Sequence, residues 1–215
     1  MPEIIEERED FNNLAQAWAS DNDLYGKIIP AATGEAPPSI LKRLESFSDS
    51  FIFTYASSEQ PKRQINHLGN ELVAMFDYGI TKRLLFRGAI AHGDFCQGSR
   101  SLVGPAVDEA YEWSDQANWA GILCSPSARE FIDQQYSRDA LELSGDFGRW
   151  EVPIKGRPPL DTWVVWWPRT GKRNAIKKIF LEPPVSSDVE LKMAATLKFY
   201  DWATGLFPVG VKGEP

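Results

Sequence analysis

The feature that most constrains the fold is the order in which helix and strand patterns alternate along the chain. Over residues 64–80, apolar residues recur at helical spacing and mark one buried stripe. Further helix patterns cover residues 9–27, 104–119, 125–131 and 188–202. Strand patterns cover residues 47–55, 84–95, 122–124, 150–154 and 162–167. This order predicts an α+β sandwich with helices on one side of a mainly antiparallel sheet, and a ferredoxin-like arrangement fits it.

The pattern at residues 47–55 also predicts a candidate metal ligand. Aromatic and β-branched residues flank a Ser-Asp-Ser sequence centred on Asp49, which predicts two short strands joined at a tight turn. A carboxylate in such a turn suits a hard divalent cation, although a turn aspartate can also bond its own backbone. The flanking Ser48 and Ser50, between buried aromatic runs, favour the metal ligand.

Length and composition indicate a single domain over residues 1–215. A chain of 215 residues with 43% apolar residues can bury a core without disulfides. The motif-bearing core covers about residues 40–167, and residues 168–215 are predicted to form a C-terminal extension. Five of the eight tryptophans lie in the last third, which predicts an aromatic-rich layer or an interface there.

Charge and cysteine content limit the partners and the compartment. A formal net charge of −7 argues against a protein that follows nucleic-acid backbones, although a local basic pocket can still bind a small anion. No apolar run is long enough to span a membrane, and the acidic N-terminus does not resemble a signal peptide. The two cysteines, Cys96 and Cys124, are interpreted as ordinary thiols in a reducing compartment. We therefore expect a soluble, cytoplasmic protein that contacts neither nucleic acid nor membrane.

Four motifs in order give the chain a resemblance to a known family. Residues 45–51 are Glu-Ser-Phe-Ser-Asp-Ser-Phe, and residues 87–93 are Arg-Gly-Ala-Ile-Ala-His-Gly. Residues 104–112 are Gly-Pro-Ala-Val-Asp-Glu-Ala-Tyr-Glu, and a Lys-Gly step at 155–156 precedes a strand. Over roughly residues 40–167 this order resembles the catalytic core of class III nucleotide cyclases. It looks most like the compact bacterial branch that includes the pyrimidine cyclases of the Pycsar anti-phage systems.

The resemblance implies a reaction and a set of site residues. A cyclase drives the ribose 3′-hydroxyl onto the α-phosphate and expels diphosphate, with divalent ions stabilising the reacting oxygens. By resemblance, Asp49 is a catalytic residue that binds Mn²⁺ or Mg²⁺, and Lys155 is a catalytic residue that holds the triphosphate. Glu45 and Ser101 occupy the positions that recognise the base, and Tyr111 narrows the base pocket.

The chemistry of Glu45 predicts which base is preferred. A carboxylate only accepts hydrogen bonds, so it favours a base edge that offers donors: guanine, the N3–H of uracil or the amino group of cytosine. Adenine presents an acceptor at N1 and fits less well. Together with a pocket narrowed by aromatic residues, this ranks UTP first, CTP second, GTP third and ATP last. A solvated glutamate at a strand start is the equal alternative for Glu45.

Two further polar residues of the motifs have simpler interpretations. Arg87 is either a phosphate ligand or a strand-end arginine paired with a carboxylate, and the pairing is favoured. His92 follows an apolar strand and is interpreted as a solvated turn histidine.

The chain also departs from the family pattern. The family's first strand carries a second metal aspartate, and here only Glu6 and Glu7 could replace it. Either the true start lies upstream, or the site is degenerate with one metal. Asp108 and Glu112 stand where the family has its transition-state asparagine and arginine, and this replacement is treated as a feature of the bacterial branch.

The leading functional hypothesis is therefore a homodimeric cyclase that makes a cyclic pyrimidine monophosphate. By resemblance, its product is an anti-phage second messenger that acts on a cyclic-nucleotide-responsive effector. The missing first aspartate favours a second hypothesis, a non-enzymatic cyclase-like module for nucleotide binding or dimerisation. A guanylyl cyclase is a third hypothesis, which rests on Glu45 alone.

Overall fold

The computed structural model describes residues 42–47, 50–55, 60–98, 101–136, 146–168, 172–182 and 186–206, the first of these ranges by backbone alone. The chain divides into two compact units, residues 1–64 and 65–215. The helix predicted at 9–27 lies outside the described residues, as do Glu6 and Glu7. The single-domain organisation over 1–215 stays a prediction.

The first unit contains the predicted hairpin. Strands β1 (Lys42–Phe47) and β2 (Ser50–Tyr55) pair antiparallel as a two-stranded sheet. Phe47 lies opposite Ser50, so two residues, Ser48 and Asp49, connect the strands. The hairpin and its second strand are confirmed, but the first strand shares only Phe47 with the predicted run of residues 47–55. The residues of the turn lie outside the described part of the chain.

Helix α1 (Pro61–Thr81) contains the apolar stripe of residues 64–80 and confirms the helix predicted there. Its buried positions include Ile65, Leu72, Phe76 and Ile80, which recur at the helical period. Phe76 is fully buried, with Trp167 stacked on its ring at 4.9 Å between centroids. Helix α1 thus covers part of the core of the second unit.

A four-stranded mixed sheet forms the centre of the second unit. Its strands and those of a small hairpin are β3 (Gly88–Ile90), β4 (Cys96–Gln97), β5 (Leu102–Val103), β6 (Ile122–Cys124), β7 (Phe147–Val152) and β8 (Leu160–Val165). The sheet order is β3-β6-β8-β7, with β3 parallel to β6 and the other two pairings antiparallel. Together with the helices, this mixed sheet gives the α+β architecture expected from the sequence.

The strand predicted over 84–95 is wrong in its length. Strand β3 is three residues long because its neighbour β6 offers only three residues for pairing. The preceding Phe86 is buried by helix packing, with its ring edge-on to Phe76. After the strand, Gly93 has a φ of +155°, and the chain turns toward the β4–β5 hairpin.

Helix α2 (Pro105–Gln116) carries the chain from the hairpin toward β6, and α3 (Pro126–Gln135) follows β6. At Gly104, φ is +145° and a Cβ atom would lie 2.7 Å from the carbonyl oxygen of Asp94, so the position requires glycine. Helix α2 ends before the predicted Trp119, because Ala117 is extended and pairs with Ile154 in an isolated bridge.

Trp119, Trp150, Trp166, Trp167 and Trp202 form an aromatic layer with the C-terminal helix α5 (Ser187–Leu206), which packs beside α4 (Arg173–Leu181). Phe199 of α5 is fully buried and lies edge-on to Trp119, with ring centroids 4.6 Å apart. Trp202 lies between Trp150 and Trp166, at 4.8 and 4.9 Å. Of the two predicted roles for the aromatic residues, a packed layer is the one observed. None of the helices in the described ranges is both long and apolar enough to cross a membrane.

Candidate anion-binding site

Lys155 lies on a turn that is held against the C-terminal end of α2. The turn connects β7 and β8, and the left-handed φ of +66° at Gly156 explains the Lys-Gly step. The backbone N–H of Lys155 donates to the carbonyl of Gln116 at 2.9 Å. One residue earlier, Ile154 pairs with Ala117. These backbone contacts fix the origin of the lysine side chain beside the last turn of the helix.

Arg87 reaches the same place from the start of β3. Its Nη2 lies 3.6 Å from Oδ1 of Asp115, and its Nη1 donates to the backbone carbonyl of Asp115 at 3.3 Å. The Nζ of Lys155 lies 3.3 Å from the same carboxylate oxygen. The favoured interpretation of Arg87, a pairing with a carboxylate, is confirmed. We call Arg87, Asp115 and Lys155 the Asp115 cluster.

The electrostatics of the Asp115 cluster follow from its position on the helix. Asp115 is the next-to-last residue of α2, where the partial negative charge of the helix end disfavours a carboxylate and favours cations. The exposed fractions of the side chains are 35% for Arg87, 43% for Lys155 and 61% for Asp115. Ion pairs this exposed typically contribute ~0–1 kcal/mol. The two cations are therefore accessible to an anion from solution.

The other predicted site residues have separate positions. Ser101 is exposed before β5, and its carbonyl accepts a hydrogen bond from the N–H of Gly98 at 2.8 Å within the hairpin. Tyr111 projects from α2 with 76% of its surface exposed. Glu45 belongs to β1, opposite Ile52, and its side chain lies outside the described part. Asp49 lies entirely outside the described part of the chain. Of the five residues assigned to the site by resemblance, Lys155 is therefore the one found in a described charge cluster.

A second polar network, not predicted from the sequence, connects α2 to the start of α3. The backbone N–H of Ser127 donates to Oε1 of Glu109 at 3.1 Å, and the hydroxyls of Ser125 and Ser127 lie 3.1 Å apart. Ser125 precedes α3 as its cap residue without a side-chain bond to the helix backbone. The carboxylate of Glu109 therefore supplies the cap for α3.

The same hydrogen bonds control the charge of Glu109. Burial alone would raise the pKa of this carboxyl group. The N–H and hydroxyl of Ser127 and the hydroxyl of Ser125 outweigh burial, so the pKa of Glu109 lies below its usual range. His92 joins this network through its backbone, whose N–H donates to Oγ of Ser127 at 3.0 Å. The His92 ring is exposed and stacks on Phe131, consistent with the predicted turn histidine.

Replacing Glu109 by glutamine is expected to destabilise the protein by about 1 kcal/mol at neutral pH, because α3 loses a charged cap. The folded-state pKa is lowered, so the ionised group stabilises the fold above the unfolded-state pKa of roughly 4.3. This contribution is lost as the pH falls through the lowered pKa. Urea unfolding of the native protein and the variant at pH 7 and at pH 3 measures the difference.

The control for this prediction is Glu112→Gln, which changes an exposed glutamate of the same helix. It is expected to leave the free energy of unfolding within ~0.5 kcal/mol of the native value. A Glu109→Gln deficit that is equally large at pH 3 would show that the charge of the cap contributes nothing.

The second unit contains both cysteines of the chain. Cys96 and Cys124 are both free, and burial raises the pKa of the Cys124 thiol. This agrees with their interpretation as ordinary thiols. Within the described ranges, no group of three His, Cys, Asp or Glu side chains is arranged to hold a metal ion. The proposed metal ligand, Asp49, lies outside those ranges.

Comparison of the chain with protein-family models, with curated proteins and with solved structures finds no match in any of the three.

Proposed function

We propose that the chain is a nucleotide cyclase with a class III-like α+β sandwich. It converts a pyrimidine nucleoside triphosphate, preferably UTP and then CTP, to the 3′,5′-cyclic monophosphate and diphosphate. The observation that supports this most directly is the convergence of Arg87 and Lys155 on one carboxylate oxygen at the end of α2. In a chain of net charge −7, a local pair of cations is suited to an anionic ligand.

In this reaction, Arg87 and Lys155 are proposed to bind the triphosphate and to stabilise the negative charge that develops on it. The ribose 3′-oxygen forms a bond to the α-phosphorus as its proton passes to solvent, and the bond from that phosphorus to the bridging oxygen breaks. Negative charge then accumulates on the departing diphosphate. Lys155 supplies a point charge for the phosphate chain, and Arg87 supplies a planar donor pair. Asp49 is the proposed ligand for Mn²⁺ or Mg²⁺, which when bound supplies further positive charge at the phosphates.

Glu45 and Ser101, which precede α2, and Tyr111 of α2 are proposed to select the base. Glu45 is proposed to accept the N3–H of uracil, and Ser101 to serve the neighbouring polar groups of the base. Tyr111 is proposed to narrow the pocket. Its high exposure in the single chain leaves the ring free to contact a ligand or a second chain.

We further infer that the protein is a homodimer in which each active site is shared between chains. Support comes from Tyr111 and Val103, two large apolar side chains with 76% and 59% of their surfaces exposed. The proposed role is an anti-phage signal, made in the cytoplasm and detected by a cyclic-nucleotide-responsive effector.

The test offers the four nucleoside triphosphates separately, with Mn²⁺, and resolves the products by chromatography. Cyclic UMP is expected to dominate, and ATP to be disfavoured roughly ten- to a hundredfold, because an acceptor facing an acceptor leaves a buried group unpaired. Dominant cyclic AMP would contradict the role of Glu45. Dominant cyclic GMP would identify a guanylyl cyclase.

A second candidate function is a non-enzymatic, cyclase-like module that binds a nucleotide or mediates dimerisation. It is favoured by Asp108 and Glu112, which are exposed on α2 where the resemblance expects an asparagine and an arginine. A protein that binds nucleotides and forms no cyclic product from any of the four would support this alternative.

A further inference from the structure

We propose that Asp115 is an internal competitor for the anion site of Arg87 and Lys155, so that a polyphosphate binds by displacing the Asp115 carboxylate. The inference rests on the proposed function in that the nucleotide's triphosphate would be this polyphosphate. It assigns to Asp115 the control of how tightly the site binds. Both cations contact its Oδ1 atom, at 3.6 and 3.3 Å, so a single anionic group can occupy the space between them.

The Asp115 side chain can rotate away from the two cations into solvent. It is 61% exposed, and rotation into solvent leaves no buried polar group unpaired. The C-terminal end of α2 disfavours a negative side chain, so the helix does not oppose its departure. Exposed pairs of this kind are individually weak.

The Arg87 guanidinium and the backbone of Lys155, in contrast, are held by contacts that do not involve the carboxylate. Nη1 of Arg87 donates to the backbone carbonyl of Asp115, and the N–H of Lys155 donates to the carbonyl of Gln116. Both bonds persist when the Asp115 side chain turns away. The guanidinium and the start of the lysine side chain therefore keep their positions during the exchange, which lowers the entropic cost of binding.

The number of charges on an anion determines whether it displaces the Asp115 carboxylate. One carboxylate carries a single negative charge against two cations. A polyphosphate chain carries several charges and several acceptor oxygens, and it can contact the arginine in bidentate fashion and the lysine at the same time. A singly charged anion lacks this advantage, so the competitor also discriminates against small monoanions.

The experiment measures binding of inorganic tripolyphosphate by calorimetry to the full chain. Asp115→Asn is expected to bind it about three- to thirtyfold more tightly than the native protein, because two weak competing ion pairs are removed. Asp115→Ser serves as the second variant, and thermal unfolding verifies that both are folded. Asp188→Asn, which removes the same charge from an exposed position on α5, is expected to change the affinity less than twofold.

A background that lacks both cations makes the test specific. In Arg87→Gln/Lys155→Gln, the further change Asp115→Asn is expected to give no gain in affinity. The proposal is overturned if the two Asp115 variants bind no more tightly than the native protein, or if their gain is equally large without the cations. Since tripolyphosphate cannot be cyclised, this result is independent of the cyclase assay on the native protein, and either proposal can fail alone.

Discussion

Replacing Phe199 by alanine is expected to lower the free energy of unfolding by about 3–5 kcal/mol. The ring is fully buried at the centre of the aromatic layer and lies edge-on to Trp119 and Trp150, at 4.6 and 5.5 Å. Its removal leaves a cavity between large rigid rings that cannot collapse to fill it. Since domains are typically stable by only ~5–15 kcal/mol, a substantial part of the stability is at risk. Urea unfolding, followed by tryptophan fluorescence, measures the change.

Two comparisons separate this cavity effect from a general loss of an aromatic residue. Phe199→Leu keeps most of the volume and is expected to cost less than about 2 kcal/mol. Tyr111→Ala removes an aromatic ring that is 76% exposed and is expected to cost less than ~0.5 kcal/mol. A Phe199→Ala variant no less stable than Tyr111→Ala would show that the aromatic layer is not the stabilising core described above.

Elements with strong local signals could be predicted from the sequence. Helix α1 has apolar residues at the helical period over residues 65–80, and the second strand of the hairpin is rich in aromatic and β-branched residues. Helix α2 begins at a proline after a glycine whose positive φ only glycine adopts easily. In each case the residues that determine the element are close together in the sequence, so a local pattern is enough to predict it.

Features that depend on distant pairing could not be predicted. Strand β3 was expected to be longer because the apolar run before it looks like a strand, yet Phe86 is buried by helix packing. The Asp115 cluster joins residues that are 28 and 40 positions apart, and a local sequence pattern does not show which distant residues meet. Glu109 caps helix α3 through Ser127, which lies 18 positions later in the chain. The position of Asp115 near the C-terminal end of a helix was the one sequence feature that indicated nearby cations, because a carboxylate is unfavourable there unless it is paired.

Replacing Asp49 by alanine is expected to reduce cyclic nucleotide formation by at least roughly two orders of magnitude, because the proposed stabilisation of charge at the reacting phosphates is lost. The stability is expected to change by less than ~0.5 kcal/mol, as is usual for a turn position away from a core. Product formation with Mn²⁺ is measured by chromatography. Mn²⁺ binding to the native protein and to Asp49→Ala is measured separately by electron paramagnetic resonance, which does not depend on turnover.

The charge-matched control is Asp188→Ala, which removes an exposed aspartate from the first turn of α5 and is expected to keep full activity and Mn²⁺ binding. Asp49→Asn gives a finer distinction, because an amide oxygen can still accept a hydrogen bond but binds a divalent ion less strongly. If Asp49 served only the turn, Asp49→Asn would retain activity, since asparagine forms the same backbone turn. Activity lost in both the alanine and the asparagine variants, together with weakened Mn²⁺ binding, is the result that a metal ligand requires.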